Sequence, residues 1–239
     1  YFMQGKQDQG IAEIKSVLDK SPDNINALTT LGAIYETKND DAQAQKYLKM
    51  AMDTGKADGY IAMATYKLRK KETGEALKLI DQAIEKDKAK VAFYELKGRV
   101  LASDGRFKEA VAAFEELARI NPRAGFALIV NAYLAQKKPD EALARVNSEL
   151  KKKSDDLDLM AEVSRIYSLM GKKSEAVHNA NSMISSKPSA AAGYLVLASV
   201  YQAAKETDKA IEAVKRGINA AGKDPSIYLS LGDLHASKR

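Results

Sequence analysis

Residues 94–114 read YELKGRVLASDGRFKEAVAAF, and three kinds of position in that stretch decide the fold. Tyr94, Gly98 and Leu101 stand four and then three residues apart, the spacing that gathers side chains on one stripe of an α-helix. Gly105-Arg106 reads as a turn, and Ala110 with Phe114 begins the stripe of a second helix. The spacing therefore predicts two antiparallel helices that approach closely at the small residues. The large side chains fill the space above and below that crossing.

Working outward, the same columns recur along the whole chain. The small position falls at Gly32, Ala64, Gly98, Val130, Ser164, Ala198 and Gly232, at successive spacings of 32, 34, 32, 34, 34 and 34 residues. Twelve residues beyond stand Ala44, Ala76, Ala110, Ala142, Ala176 and Ala210. Four residues before stand Leu28, Tyr60, Tyr94, Phe126, Met160, Tyr194 and Tyr228. Three residues after stand Tyr35, Leu101, Tyr133, Tyr167 and Tyr201, with Lys67 and His235 as exceptions. Extended backwards, the columns take in Tyr1 and Gly10 and so place nine of the eleven tyrosines, which excludes coincidence. A single hairpin cannot bury its apolar face, so successive pairs must stack and share a core.

Punctuation and composition agree. Pro22, Pro122 and Pro188 occupy one column just after the second helix, and Pro139 suits the first turn of a second helix. The 239 residues are 45% hydrophobic, with abundant Ala, Leu, Lys and Glu, which favours helix nearly throughout. Absence of cysteine excludes disulfides, zinc knuckles and thiol chemistry. The net charge of +6 is spread through both signs, and the runs Arg69-Lys70-Lys71, Lys137-Lys138 and Lys151-Lys152-Lys153 fall where helices end, where cations are favoured. No apolar run reaches the roughly 20 residues that span a bilayer.

With Tyr94, Lys97, Gly98 and Leu101 followed by Gly105-Arg106-Phe107, Ala110, Phe114 and Asn121-Pro122, the chain resembles the tetratricopeptide repeat (TPR) family over essentially its whole length. The resemblance implies an all-α, right-handed superhelical solenoid of antiparallel helix pairs. The expected layout is a half repeat at 1–24, repeats starting near 25, 57, 91, 123, 157 and 191, and a lone helix at 225–237. Both ends cut a repeat, so the chain is expected to be a fragment of a longer array. Val130, Ser164 and Lys67 depart from the family pattern and put local packing in question.

The residues offer little for catalysis. His178 and His235 are the only histidines; the first is expected to face outward, the second takes a core tyrosine's place. Neither has companions at ligand spacing, so no metal site is expected. Asp155, Asp156 and Asp158 read as the acidic start of a helix rather than a carboxylate site. No phosphate loop is visible, and no cofactor is expected. The tyrosine columns are core columns rather than a stacking platform, and the evenly mixed charge argues against nucleic acid.

The resemblance implies instead that the second, fifth, ninth and twelfth positions of each first helix line a concave groove. The ninth column is Ala33, Thr65, Arg99, Asn131, Arg165, Ser199 and Asp233. Arg99, Asn131 and Arg165 are groups that can grip a carboxylate or a backbone amide, and Glu95 and Gln202 stand beside them as further candidates. The competing reading pairs Arg99 with Glu95 and Arg165 with Glu162 or Asp158 as solvated surface ions. The lysines of the family's clamp for chaperone tails are absent from the required columns.

The expected function is a non-catalytic scaffold that binds a protein or peptide segment in the groove. Alternatives are a bacterial cell-envelope protein supporting exopolysaccharide export or secretion, with a periplasmic location, and the substrate-recruiting region of a larger enzyme. Nucleic acid and direct membrane insertion are not expected, and exposed half-repeats could self-associate end to end.

Overall fold

The computed structural model describes residues 7–222 and 224–237, and every regular element among them is an α-helix. The expected position of Tyr1 lies outside the described residues. The chain divides into two compact units, Tyr1–Ala132 and Tyr133–Arg239.

In the first unit, α1 (Gln7–Lys20) precedes three pairs: α2 (Ile25–Thr37) with α3 (Asp41–Asp53), α4 (Ala57–Arg69) with α5 (Thr73–Lys86), and α6 (Val91–Ser103) with α7 (Phe107–Ile120). The helix α8 (Pro122–Ala135) starts directly on Pro122, so this proline opens a helix as well as closing the one before, its missing N–H costing nothing at a first turn. The second unit holds α9 (Pro139–Leu150), then α10 (Leu157–Leu169) paired with α11 (Lys173–Ser186), α12 (Ala191–Ala203) paired with α13 (Thr207–Ala221), and α14 (Pro225–Ser237).

The small columns mark the crossings. Ala44, Ala76 and Ala110 in the first unit, and Ala142, Ala176 and Ala210 in the second, have no solvent exposure at all. At Gly98 the fit is tightest: a Cβ there would stand 2.2 Å from the Phe114 ring of α7. The same holds at Gly32, where Leu48 of α3 would lie 2.7 Å away. A missing side chain on one helix is thus the seat for a large one on its partner.

A second set of close approaches lies at three of the junctions between one pair and the next. A Cβ on Gly59 would meet the Ala51 carbonyl oxygen at 2.3 Å, one on Gly125 the Ala118 Cα at 2.4 Å, and one on Gly193 the Ile184 side chain at 2.8 Å. In the first two cases the obstacle is backbone or the Ala118 Cβ, which cannot rotate away.

The turns inside the pairs share one geometry. Asn39, Lys71, Gly105, Lys137, Gly171 and Lys205 all have φ between 56° and 76°. In each, the following N–H reaches back to a carbonyl five residues earlier, as from Asp40 to Tyr35 and from Arg106 to Leu101, both at 2.9 Å. This is the Schellman closure, which satisfies the last carbonyls of a helix and reverses the chain.

Ser164, in the small column of α10, is fully buried and brings a polar network into the second unit. Its hydroxyl donates to the Ala176 carbonyl at 3.2 Å and accepts from Asn179 Nδ2 at 2.8 Å, while Asn179 also donates to the Met160 carbonyl at 2.6 Å. The hydroxyl is tolerated because every buried polar atom around it has a partner.

Candidate functional site

The rotation of a helix explains where a ligand could touch this chain. Successive residues point 100° apart, so the eighth and tenth positions of a first helix lie on opposite flanks of the ninth. In α6 both flanks, Gly98 and Val100, are buried while Arg99 between them is exposed. The same pattern holds for Asn131 between Val130 and Ala132 in α8. In the second unit it holds for Arg165 between Ser164 and Ile166, and for Ser199 between Ala198 and Val200. These four first helices are clasped on two sides and open to solvent along a narrow strip that the ninth column occupies, whereas Thr65 in α4 is half-buried.

The structure places Glu95, Arg99 and Asn131 in the first unit and Arg165 and Gln202 in the second. Asn131 and Gln202 are exposed. Arg99 donates to Glu95 through Nε at 2.9 Å, and its Nη2 stands 2.7 Å from the same carboxylate oxygen as an ion pair, with 65% of the Arg99 side chain still accessible. Arg165 donates through Nε to Glu162 at 2.8 Å and through Nη2 to the other carboxylate oxygen. Hydrogen bonding to the Glu162 carboxylate holds the Arg165 guanidinium above its ordinary value. Both arginines are therefore fixed by a carboxylate on their own helix, and both pairs stay open to water.

Arg99 also borders a cleft of about 350 Å³ in the first unit, together with Leu68, Thr73, Val100, Ser103 and Asp104. Reading the ninth column alone misses this cleft, because its wall comes from the ends of α4 and α6 and the start of α5. The cleft offers a guanidinium, two hydroxyls and a carboxylate, a set suited to a backbone segment with both donors and acceptors.

The other polar features are structural. Asp156 caps α10 by accepting from the N–H groups of Asp158 at 3.0 Å and Leu159 at 3.1 Å, and Lys187 donates to the Asp155 carbonyl at 3.3 Å. His178 and His235 are both exposed. Among the described residues no group of three or more His, Cys, Asp or Glu side chains could hold a metal ion. Among them also, no helix is long and apolar enough to cross a membrane. The tyrosine columns are not core throughout: Tyr228 is 51% exposed, because no helix among the described residues covers its side of α14.

Successive antiparallel helix pairs, with small residues at most crossings and an open strip on most first helices, define a helical-repeat interaction scaffold. A family model described as "Tetratricopeptide repeat" matches residues 61–124, and one described as "ChAPs (Chs5p-Arf1p-binding proteins)" matches residues 96–216. The chain belongs to the tetratricopeptide repeat family. Its fold is similar to the C-terminal part of a TPR repeat-containing protein from Cytophaga hutchinsonii, with a TM-score of 0.55, 16% identity, and 96% of each chain covered. It is also similar to a tetratricopeptide repeat protein from Parabacteroides merdae, with a TM-score of 0.50, 16% identity, and 98% of this chain and 94% of that one covered. None of the curated proteins matches the sequence.

Proposed function

We propose that the chain is a non-catalytic scaffold that takes a peptide, or a segment of a partner protein, along the open strips of its first helices. Glu95, Arg99 and Asn131 are the contacts proposed in the first unit, and Arg165 and Gln202 those in the second. The observation that carries this reading is the repeated exposure of the ninth column between buried flanks.

The chemistry follows from the state of the two arginines. Arg99 and Arg165 are already oriented by Glu95 and Glu162, so little side-chain freedom is lost when a ligand arrives. An exposed pair of this kind is worth little in itself, and a ligand carboxylate can share or displace the glutamate at small cost. Glu95, once released, accepts from a backbone N–H of the same ligand. In the first unit the neighbouring cleft, with Thr73, Ser103 and Asp104, gives an extended backbone somewhere to lie.

The test is a titration of acidic peptides of about ten residues with free C-termini, chosen from an array, against the protein and its Arg99→Ala, Arg165→Ala and double variants. Loss of a charged hydrogen bond should weaken the tightest binder by roughly tenfold or more in at least one single variant. Unchanged affinity in the double variant would overturn the assignment of these residues.

A further inference from the structure

One turn beyond the ninth column, the first helices end on an exposed position followed by the residue that leads into the turn. These ends read Thr37-Lys38, Arg69-Lys70, Ser103-Asp104 and Ala135-Gln136, each with at least one polar group to meet water. In α10 and α12 they read Leu169-Met170 and Ala203-Ala204, with none. Leu169 is 62% exposed, Ala203 is exposed, and Met170 and Ala204 are half-buried. The two helices pack on each other, so their apolar ends belong to one surface of the second unit. Its exposure does not come from a terminus of the chain, because α9, α11 and α12 all pack on α10. A leucine is thus held in water one turn after Arg165, in a column that elsewhere carries only polar residues or alanine.

We propose that the second unit selects an extended peptide segment with a large apolar residue two positions from the carboxylate that Arg165 meets, and that Leu169 determines this choice. The selection rests on Arg165 meeting a ligand carboxylate, as proposed above, and names the residue that must accompany it. From Arg165 to the end of α10, and along the whole of α12, the guanidinium is the one charged group in the sequence. That surface complements a segment with one carboxylate among uncharged side chains. The spacing follows from two rises. Four residues of α-helix, Arg165 to Leu169, advance about 6 Å. In an extended peptide two residues advance roughly 6.6 Å and return to the same side, whereas an adjacent residue points away and four residues overshoot to about 13 Å. Only a spacing of two brings both side chains onto the arginine and the leucine together. In the first unit Arg99 has Ser103 at the same interval, so no apolar residue is selected there.

The probe is a library of peptides of about ten residues with one fixed Glu and every other position degenerate, captured on the whole chain carrying Arg99→Ala and then sequenced. Leu, Phe and Met are expected to be enriched roughly fivefold or more over Ser at two residues from the Glu, and not at one or four. Leu169→Ser should abolish that enrichment while peptide is still captured, and Leu169→Met should keep it. Because Leu169 is mostly in water, the serine variant should melt at an unchanged temperature.

Capture that Arg165→Ala abolishes, together with an enrichment that is missing, lies at another spacing or survives Leu169→Ser, would overturn the role of Leu169 and leave the arginine contact standing. Capture indifferent to Arg165→Ala, or no capture at all, would overturn the arginine contact and the selection with it. A dimer in sedimentation equilibrium that Leu169→Ser dissociates would assign the leucine to a second copy. A melting temperature lowered by Leu169→Ser would assign it to packing within the chain, and either result would overturn the peptide as its occupant.

Discussion

At the scale of single residues, the turns show how one backbone geometry is met by two kinds of side chain. Gly105 and Gly171 take positive φ without penalty, whereas Lys71, Lys137 and Lys205 hold φ of 56° to 63° against the clash of their own Cβ. The Schellman hydrogen bonds hold those lysines in place, as from Glu72 to the Lys67 carbonyl at 2.9 Å. Lys71→Gly should therefore raise stability by about 1 kcal/mol, seen as a higher urea midpoint at unchanged slope. An unchanged or lower midpoint would mean that the lysine side chain contributes more than its backbone strain costs. The lysine runs were legible in the sequence as cations near helix ends, but their left-handed conformation was not. Only the alignment of Lys71, Lys137 and Lys205 with Gly105 and Gly171 signals it.

At the scale of elements, stability rests on crossings that admit no extra volume. Ala110 is fully buried at the crossing of α7 with α6. Ala110→Leu should lower the unfolding free energy by about 1–3 kcal/mol, measured by denaturant titration, because the helices must separate or the side chain must leave its rotamer. A neutral result would mean that the crossing is looser than the Gly98–Phe114 contact indicates. The crossing columns were readable because packing repeats their residue type in every pair. The glycines at close approaches between successive pairs, Gly59, Gly125 and Gly193, share one column, but Ala27, Phe93 and Leu159 interrupt it, so the column does not stand out in the sequence. Tyr66 was missed for another reason. It is 1% exposed and takes a hydrogen bond from Gln45 at 3.1 Å, yet stands outside the tyrosine columns.

Ion pairs between neighbouring repeats belong to this scale too. Lys38 meets Asp8, Lys70 meets Asp41 and Lys90 meets Asp58, at 2.7–2.9 Å, and in the second unit Lys173 meets Glu206. Lys173 and then Lys209 hold the Glu206 carboxyl below its ordinary range, and both ammonium groups stand over the Tyr201 ring at 5.7 and 5.8 Å. These pairs explain why charges of both signs are interspersed along the sequence. The first three are exposed and individually weak, and the Lys173–Glu206 pair is half-buried, so the exposed pairs set the register of neighbouring helices more than they stabilise them. Composition shows the mixing but not the partners, since the choice depends on side-chain directions about one repeat apart.

For the whole molecule, the fold was legible because a helical-repeat chain writes its contacts at a fixed period, whereas the ligand was not. Apart from the half-buried Thr65, the ninth-column side chains are exposed, Ala33 and Ser199 as much as Arg99, so chemistry at that position is free to vary. Exposure tells where a partner can touch and leaves its identity to measurement. The direct test is hydrogen–deuterium exchange of the chain with and without the tightest peptide from the array. The scaffold reading predicts slowed exchange concentrated on first helices, α4, α6 and α8 in one unit or α10 and α12 in the other, with the second helices unchanged. Protection confined to second helices such as α5, α7 and α11, or none with peptide bound, would contradict it.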